Sequence, residues 1–249
     1  MAGQQTHSAT GARFESCRQP LSGMLSNAWA YIRYFIFIAR HWDIRLAAFV
    51  VYHEIKGEHK YKTRSTGIDT LHSSISAEDL QHASIYQPVS FYIAELLFQQ
   101  LPFHITQTGF LDAGCGKGRT MAMAAYHGFK QIEGIDLSAA MIAHTNTAIA
   151  SWASYYPHAS FHAWQQNAMD VQVPLHTSVI FLFNPFDAFV MQAFVKRVAE
   201  SLQQQPREMY VLYCNPLYKD IWEAVGFESI FHSQKMHYLE GVVLHFLPK

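Results

Sequence analysis

From Ser26 to Lys56 apolar residues recur at helical intervals, and the pattern predicts two helices that meet near His41–Asp43. In the second of these, Leu46, Phe49, Val50 and His53 fall on one face. The next stretch, His59–Ser74 (HKYKTRSTGIDTLHSS), is basic and then polar and reads as a loop. Ser76, followed by Ala-Glu-Asp, is placed to cap a short turn. Pro88 is then expected to open a helix whose apolar face includes Phe91, Ala94, Leu97 and Phe98. Ahead of all this, residues 1–23 show no periodicity and predict a flexible N-terminus.

Beyond Pro102 the texture changes to short apolar runs alternating with helical patterns. The runs predict strands at Phe110–Asp112, Ile132–Asp136, Phe161–Gln165, Val179–Phe183, Met209–Cys214 and Gly241–Phe246. Helices are expected at Arg119–His127, Ala139–Tyr155, Ala188–Gln203 and Tyr218–Ala224. Such alternation implies an α/β fold, a mostly parallel sheet with helices on both faces. Phe227–His232 and Gly241–Phe246 have no helix between them, so about seven strands should end in an antiparallel pair.

Half of the 249 residues are hydrophobic and 15% are charged, which excludes a disordered chain. The net charge near zero hides an asymmetry. Residues 1–64 hold nine Lys/Arg against four Asp/Glu, and the rest hold nine against fifteen. Either the first part faces an anionic partner, or the two parts attract each other. The Lys56–Arg64 cluster (KGEHKYKTR) is interrupted by Glu58 and reads as a solvated loop in preference to a nucleic-acid or lipid-headgroup patch. Cys17, Cys115 and Cys214 form no CxxC pair, which fits a reducing cytoplasm and neither a disulfide framework nor a zinc site. No metal site is expected: His53-Glu-Ile-Lys-Gly-Glu-His59 is not HExxH, and His158 and His162 straddle a strand start. The most apolar stretch, Ala28–Ala39, contains Arg33 and is too short to span a bilayer, so no transmembrane segment is expected. The aromatic residues Trp29, Phe35, Phe37 and Trp42, set beside Arg33, Arg40 and Arg45, suit packing on the sheet, a homodimer contact or a lipid interface.

The segment with most chemistry is Phe110-Leu-Asp-Ala-Gly-Cys-Gly-Lys-Gly-Arg-Thr120, between a strand and a helix. Gly114, Gly116 and Gly118 let the backbone turn tightly and let a ligand approach its N–H groups. A dinucleotide fingerprint needs glycine where Arg119 stands, which counts against a nicotinamide-dependent oxidoreductase, and no GxxxxGK[ST] is present. Eighteen residues after Gly118 comes Asp136, at the end of the next strand, where a carboxylate accepts ribose hydroxyls.

Asp112-Ala-Gly-Cys-Gly-Lys-Gly followed by Gly134-Ile-Asp136 resembles the first two motifs of class I, Rossmann-like methyltransferases that use S-adenosylmethionine, and the whole resembles bacterial members of that class. The resemblance covers roughly Ile93–Lys249. It implies a cofactor site of Asp112, Ala113, Gly114, Cys115, Gly116 and Gly118, with Asp112 near the methionine part, the glycines beneath the adenosine–methionine link, Asp136 at the ribose and Leu137 and Met141 by the adenine. Asn167, Ala168 and Met169 resemble the segment that brackets the adenine. The product would be S-adenosylhomocysteine.

Asn184-Pro185-Phe186, after the fourth strand, resembles the Asp/Asn-Pro-Pro-aromatic element of amino- and amide-methylating members, with one proline fewer. By that resemblance Asn184, Pro185 and Phe186 position the acceptor, and nitrogen is slightly favoured over oxygen. Asn-Pro also simply ends a buried strand, as Asn215-Pro216 does. Tyr86, before the Pro88 helix, is a candidate lid residue. The expected layout is a flexible segment 1–23, a helical cap 24–101 that shapes the acceptor pocket, and a methyltransferase domain 102–249. The acceptor is open: a protein lysine, a small-molecule amine or a hydroxyl. The alternative is a peripheral membrane or protein-interaction module that retains the fold.

Overall fold

The computed structural model describes residues 21–66, 88–183 and 185–248, with side chains from residue 28 onward. Ser76, Tyr86 and Asn184 lie outside the described residues.

A seven-stranded sheet carries the molecule: β1 (Gly109–Ala113), β2 (Gln131–Asp136), β3 (Ser160–Gln165), β4 (Thr177–Phe183), β5 (Met209–Cys214), β6 (Glu228–Lys235) and β7 (Leu239–Phe246). Their order is β3-β2-β1-β4-β5-β7-β6. The first five pair in parallel, while β7 runs antiparallel to both β5 and β6. The expected antiparallel pair is present, and β7 enters the sheet between β5 and β6.

The central strands are apolar at successive positions because both faces are covered. Phe110 of β1, Val179 and Phe181 of β4, and Leu212 of β5 belong to one core, with α3 (Phe91–Phe98), α4 (Arg119–Tyr126) and Trp152 at the end of α5 (Ala139–Trp152). Their neighbours Leu111, Ile180, Leu182 and Val211 point the other way. They pack with Met191 and Phe194 of α6 (Ala188–Gln204) and with Trp222 of α7 (Lys219–Glu223).

Ahead of the sheet, α1 (Leu21–His41) and α2 (Ile44–Tyr61) form a hairpin that turns at Trp42–Asp43, where Asp43 caps α2. Four expectations need correction. Helix α1 starts before Ser26. Helix α2 continues past Lys56 into the stretch read as a basic loop, and it stops where Lys62 takes the left-handed conformation and gives its N–H to the Glu58 carbonyl. Gly57 does not break it. A Cβ there would lie 2.2 Å from the Phe91 ring, so the glycine lets α2 cross close over α3. Helix α3 opens at Phe91, not Pro88; the Ser90 hydroxyl accepts from Tyr92 N–H. The buried stripe of α2 is also rotated from the predicted one. It runs Leu46, Ala47, Val50, Glu54, Gly57, Tyr61, with Phe49 and His53 half-buried at its flank.

A glutamate inside that stripe is explained by what it meets. Glu54 is fully buried and forms an ion pair at 2.6 Å with Arg119, the first residue of α4. The Arg119 guanidinium also donates to Ser65 Oγ (2.8 Å) and the Val89 carbonyl, and stacks on the Phe91 ring. Farther along, Trp152 Nε1 donates to the Lys62 carbonyl (3.1 Å) and Tyr156 Oη to the Tyr61 carbonyl (3.0 Å). Glu95 of α3 gathers Lys60, Tyr61 and His127. These contacts fasten the end of α2 to the first core.

Taking one partner from a buried pair strands the other's charge, so Glu54→Gln should destabilise the chain by about 3–5 kcal/mol. Urea unfolding checks this. A midpoint equal to that of the wild type contradicts the assignment of the pair as the latch.

Candidate active site

Strand order reverses between β1 and β4: from β1 the chain builds outward through β2 and β3, then returns to β4 on the other side. In open α/β sheets the crevice at the carboxyl ends of such strands receives the ligand. Three loops meet there, following β1 (Gly114–Gly118), β2 (Leu137–Ser138) and β4 (residues 185–187).

The first loop turns through three glycines with positive φ: Gly114 (+84°), Gly116 (+52°) and Gly118 (+74°). A Cβ on Gly114 would sit 2.6 Å from Pro185 Cβ, and one on Gly118 would sit 2.8 Å from Trp152. Glycine is therefore required at both positions by packing as well as by φ.

The sequence suggested that this loop offers its N–H groups to a ligand. The structure corrects this. Gly114 and Cys115 N–H both donate to the Ile135 carbonyl (2.9 Å each), Gly118 N–H donates to the Cys115 carbonyl (2.8 Å), and Gly116 N–H donates to Asp136 (2.8 Å). Four donors that an anion would need are turned inward, so the loop is shaped for close approach and not as a phosphate cradle.

Asp136 ends β2. One of its oxygens accepts from Gly116 N–H and the other from Ser138 N–H, at 2.8 Å each. Burial raises its pKa, and the two N–H donors work against that rise. Each oxygen keeps acceptor capacity beyond the bond it already makes. Asp112, two residues before Gly114, is buried and accepts from the Thr120 hydroxyl. Burial pushes its carboxyl up to about 7; the Thr120 bond opposes the shift, and the neighbouring Asp136 charge adds to it. Two carboxylates that repel each other beside an inward-turned loop make a site that favours a cationic ligand.

The remaining predicted cofactor residues lie around these two. Ala113 is buried at the end of β1. The Cys115 side chain packs beneath Gly134, and burial pushes its thiol pKa up, which disfavours the thiolate. Leu137 is half-buried, and Met141 is buried in the first turn of α5, capped by Ser138. Asn167 caps a short 3-10 turn, Ala168–Asp170, by accepting from Met169 N–H (3.0 Å); Ala168 is buried and Met169 half-buried. Of the acceptor residues, Pro185 packs on Gly114, and the half-buried Phe186 ring lies 5.7 Å from Phe194 of α6.

Sequence reasoning missed Glu54 and Glu58. Glu58 accepts from the N–H groups of Ser65 (2.8 Å) and Thr66 (2.7 Å), and Thr66 also donates to Glu54 (3.0 Å). The two acids thus anchor the chain as it leaves the hairpin beside Arg119. Their spacing of four on the inner side of α2 was the available signal.

Residues 110–205 match the model of the family described as a methyltransferase domain. The match covers 96 of the 249 residues, from β1 to α6, and carries the glycine loop and Asp136. This match, together with the Rossmann-like sheet order, supports a methyltransferase that uses S-adenosylmethionine. No curated protein matches the chain in sequence. Solved structures similar to it include a SAM-dependent methyltransferase from Aquifex aeolicus, 13% identical, with TM-score 0.48 over 62% of this chain and 89% of that one. A TehB-like SAM-dependent methyltransferase from Corynebacterium glutamicum is 16% identical, with TM-score 0.44 over 63% and 87%. The Pyrococcus abyssi tRNA (uracil-54, C5)-methyltransferase, in complex with S-adenosyl-L-homocysteine, is 15% identical, with TM-score 0.47 over 66% and 40%.

The residues present fit this donor. It carries a sulfonium and an ammonium, which suit the paired carboxylates, and ribose hydroxyls, which suit the unused acceptor capacity of Asp136. It carries no phosphate, so the inward-turned N–H groups cost it nothing.

Because the folded value of Asp112, about 7, lies above its ordinary 3.8, the folded chain holds a proton that the unfolded chain releases. Its contribution is neutral below pH 4, grows more destabilising as pH rises to 7, and is constant above. A shift of this size is worth about 4 kcal/mol. Without the cofactor, Asp112→Asn should melt above the wild type at pH 8, and the gap should close near pH 4. A gap of equal size at both pH values contradicts the desolvated carboxyl.

Proposed function

We propose that the protein methylates a nitrogen nucleophile, held where the loop after β4 meets the loop after β1. The observation that supports this is the contact of Pro185 with Gly114, which sets Pro185 against the proposed cofactor loop. When bound, S-adenosylmethionine supplies a methyl group already activated by its positively charged sulfur, so neither a metal nor a triad is required. What the chain must add is alignment for in-line displacement and exclusion of water.

In this reading the Asn184 side-chain oxygen accepts an N–H of the acceptor and aims the nitrogen lone pair. Pro185 fixes the loop on Gly114, and Phe186, seated on Phe194, holds it from the α6 side. Asp112, Gly114, Gly116, Gly118 and Asp136 hold the donor, with Leu137, Met141 and Asn167–Met169 around the adenine. Tyr86 closes the mouth as a lid, and the region 24–101 caps the domain 102–249 and shapes the acceptor pocket. The acceptor class is an amine, either a protein lysine or a small molecule, in preference to a hydroxyl. Cytoplasmic placement rests on Cys115 and Cys214, which are both free and buried. No helix among the described residues is long and apolar enough to cross a membrane.

The test begins with methyl-labelled S-adenosylmethionine added to protein and small-molecule fractions to find the labelled acceptor. Asn184→Ala should then slow transfer to it by about a hundredfold, the scale of losing one oriented hydrogen-bonding group at a reacting centre, with donor affinity unchanged. Loss of donor binding or of folding in this variant contradicts a role at the acceptor.

A further inference from the structure

The helical hairpin hides one side and shows the other. Tyr34 and Ile38 of α1 pack on Leu46, Ala47 and Val50 of α2. On the opposite side of α1, Trp29, Ile32, Arg33, Ile36 and Arg40 are spaced so that they share one face. Trp29 is 65% exposed, Ile32 47% and Ile36 42%, and both arginines are exposed. Helix α2 repeats the pattern: Ile44 (63% exposed), Ala48, Tyr52 and Ile55 make an outward stripe, with the exposed Arg45 and Lys56 at its edge.

A helix that faces water puts its polar side outward, and here bulky apolar side chains occupy that side. The charge beside them has one sign. Among described residues 28–64 the exposed cations are Arg33, Arg40, Arg45, Lys56, Lys62 and Arg64, while the exposed acid is Asp43, which is engaged as the α2 cap. A two-fold contact between copies would set this face against itself and bring like charges together. An anionic lipid surface meets both features: headgroup phosphates take the arginines, and the tryptophan and isoleucines reach the acyl boundary.

We propose that the outer face of the α1–α2 hairpin docks on an anionic bilayer surface, with Trp29, Ile32 and Ile36 inserted and Arg33, Arg40 and Arg45 on the headgroups. The inner side of the same hairpin holds Arg119 beside the cofactor loop, so docking places the site next to the membrane. The proposal stands independently of which acceptor the enzyme uses.

The experiment is co-sedimentation of the full chain with phosphatidylcholine vesicles, with and without phosphatidylglycerol, at low and high salt. The protein should pellet with the anionic vesicles alone, and high salt should release it. Arg33→Glu combined with Arg40→Glu should lower partitioning by roughly tenfold or more. Trp29→Ser combined with Ile36→Ser should lower it as well. All four positions are exposed, so melting temperatures should stay at the wild-type value. Absence of vesicle binding, or equal binding to neutral vesicles, overturns the proposal. So does a dimer in sedimentation equilibrium that the Trp29→Ser, Ile36→Ser variant abolishes, since the face would then belong to a second copy.

Discussion

The carboxylate of Asp136 is the fixed point of this site. It ends β2 and ties down Gly116 in the loop after β1 and Ser138 at the start of α5. Beside it the Ile135 carbonyl takes two more N–H groups of the same loop. The loop is therefore folded onto the next strand's end, and its path demands positive φ at three glycines. What remains for a ligand is backbone that can be approached closely, acceptor capacity, and negative charge from Asp136 and Asp112. A sulfonium nucleoside suits such a site better than a pyrophosphate does, although both kinds of ligand use the same sheet architecture and the same switch point.

The second constraint is the buried pair of Glu54 and Arg119. Desolvating two charges is expensive, and the pair is held by further bonds from Arg119 to Ser65 and Val89. The arginine opens the helix that follows the glycine loop, and the glutamate sits midway along α2. The hairpin and the glycine loop are thus joined through one guanidinium, which fixes how residues 21–66 lie on the sheet.

The strands were legible as apolar runs because both faces of β1, β4 and β5 are buried, and each observed strand covers its expected core. Order within the sheet was less so. Nothing local says that β7 inserts between β5 and β6; hydrogen bonding across the sheet decides it. Helix α2 was cut short because Gly57 and a run of charges imitate a loop, while the reason for Gly57 is a phenylalanine ring on another helix. Arg119 could be read only as a departure from the dinucleotide fingerprint, since its partner is 65 residues away. The direction of the loop's N–H groups depends on a carbonyl of the neighbouring strand, and no spacing of glycines encodes it.

The most direct measurement is calorimetric titration of the wild type and Asp136→Ala with S-adenosylmethionine and then S-adenosylhomocysteine. The account predicts one-site binding of both by the wild type, weakened in the variant by about 1.5–3 kcal/mol, the scale of hydrogen bonds lost from a charged group. Equal affinity in the two proteins would contradict the placement of the donor at Asp136, and no binding by the wild type would contradict the site itself.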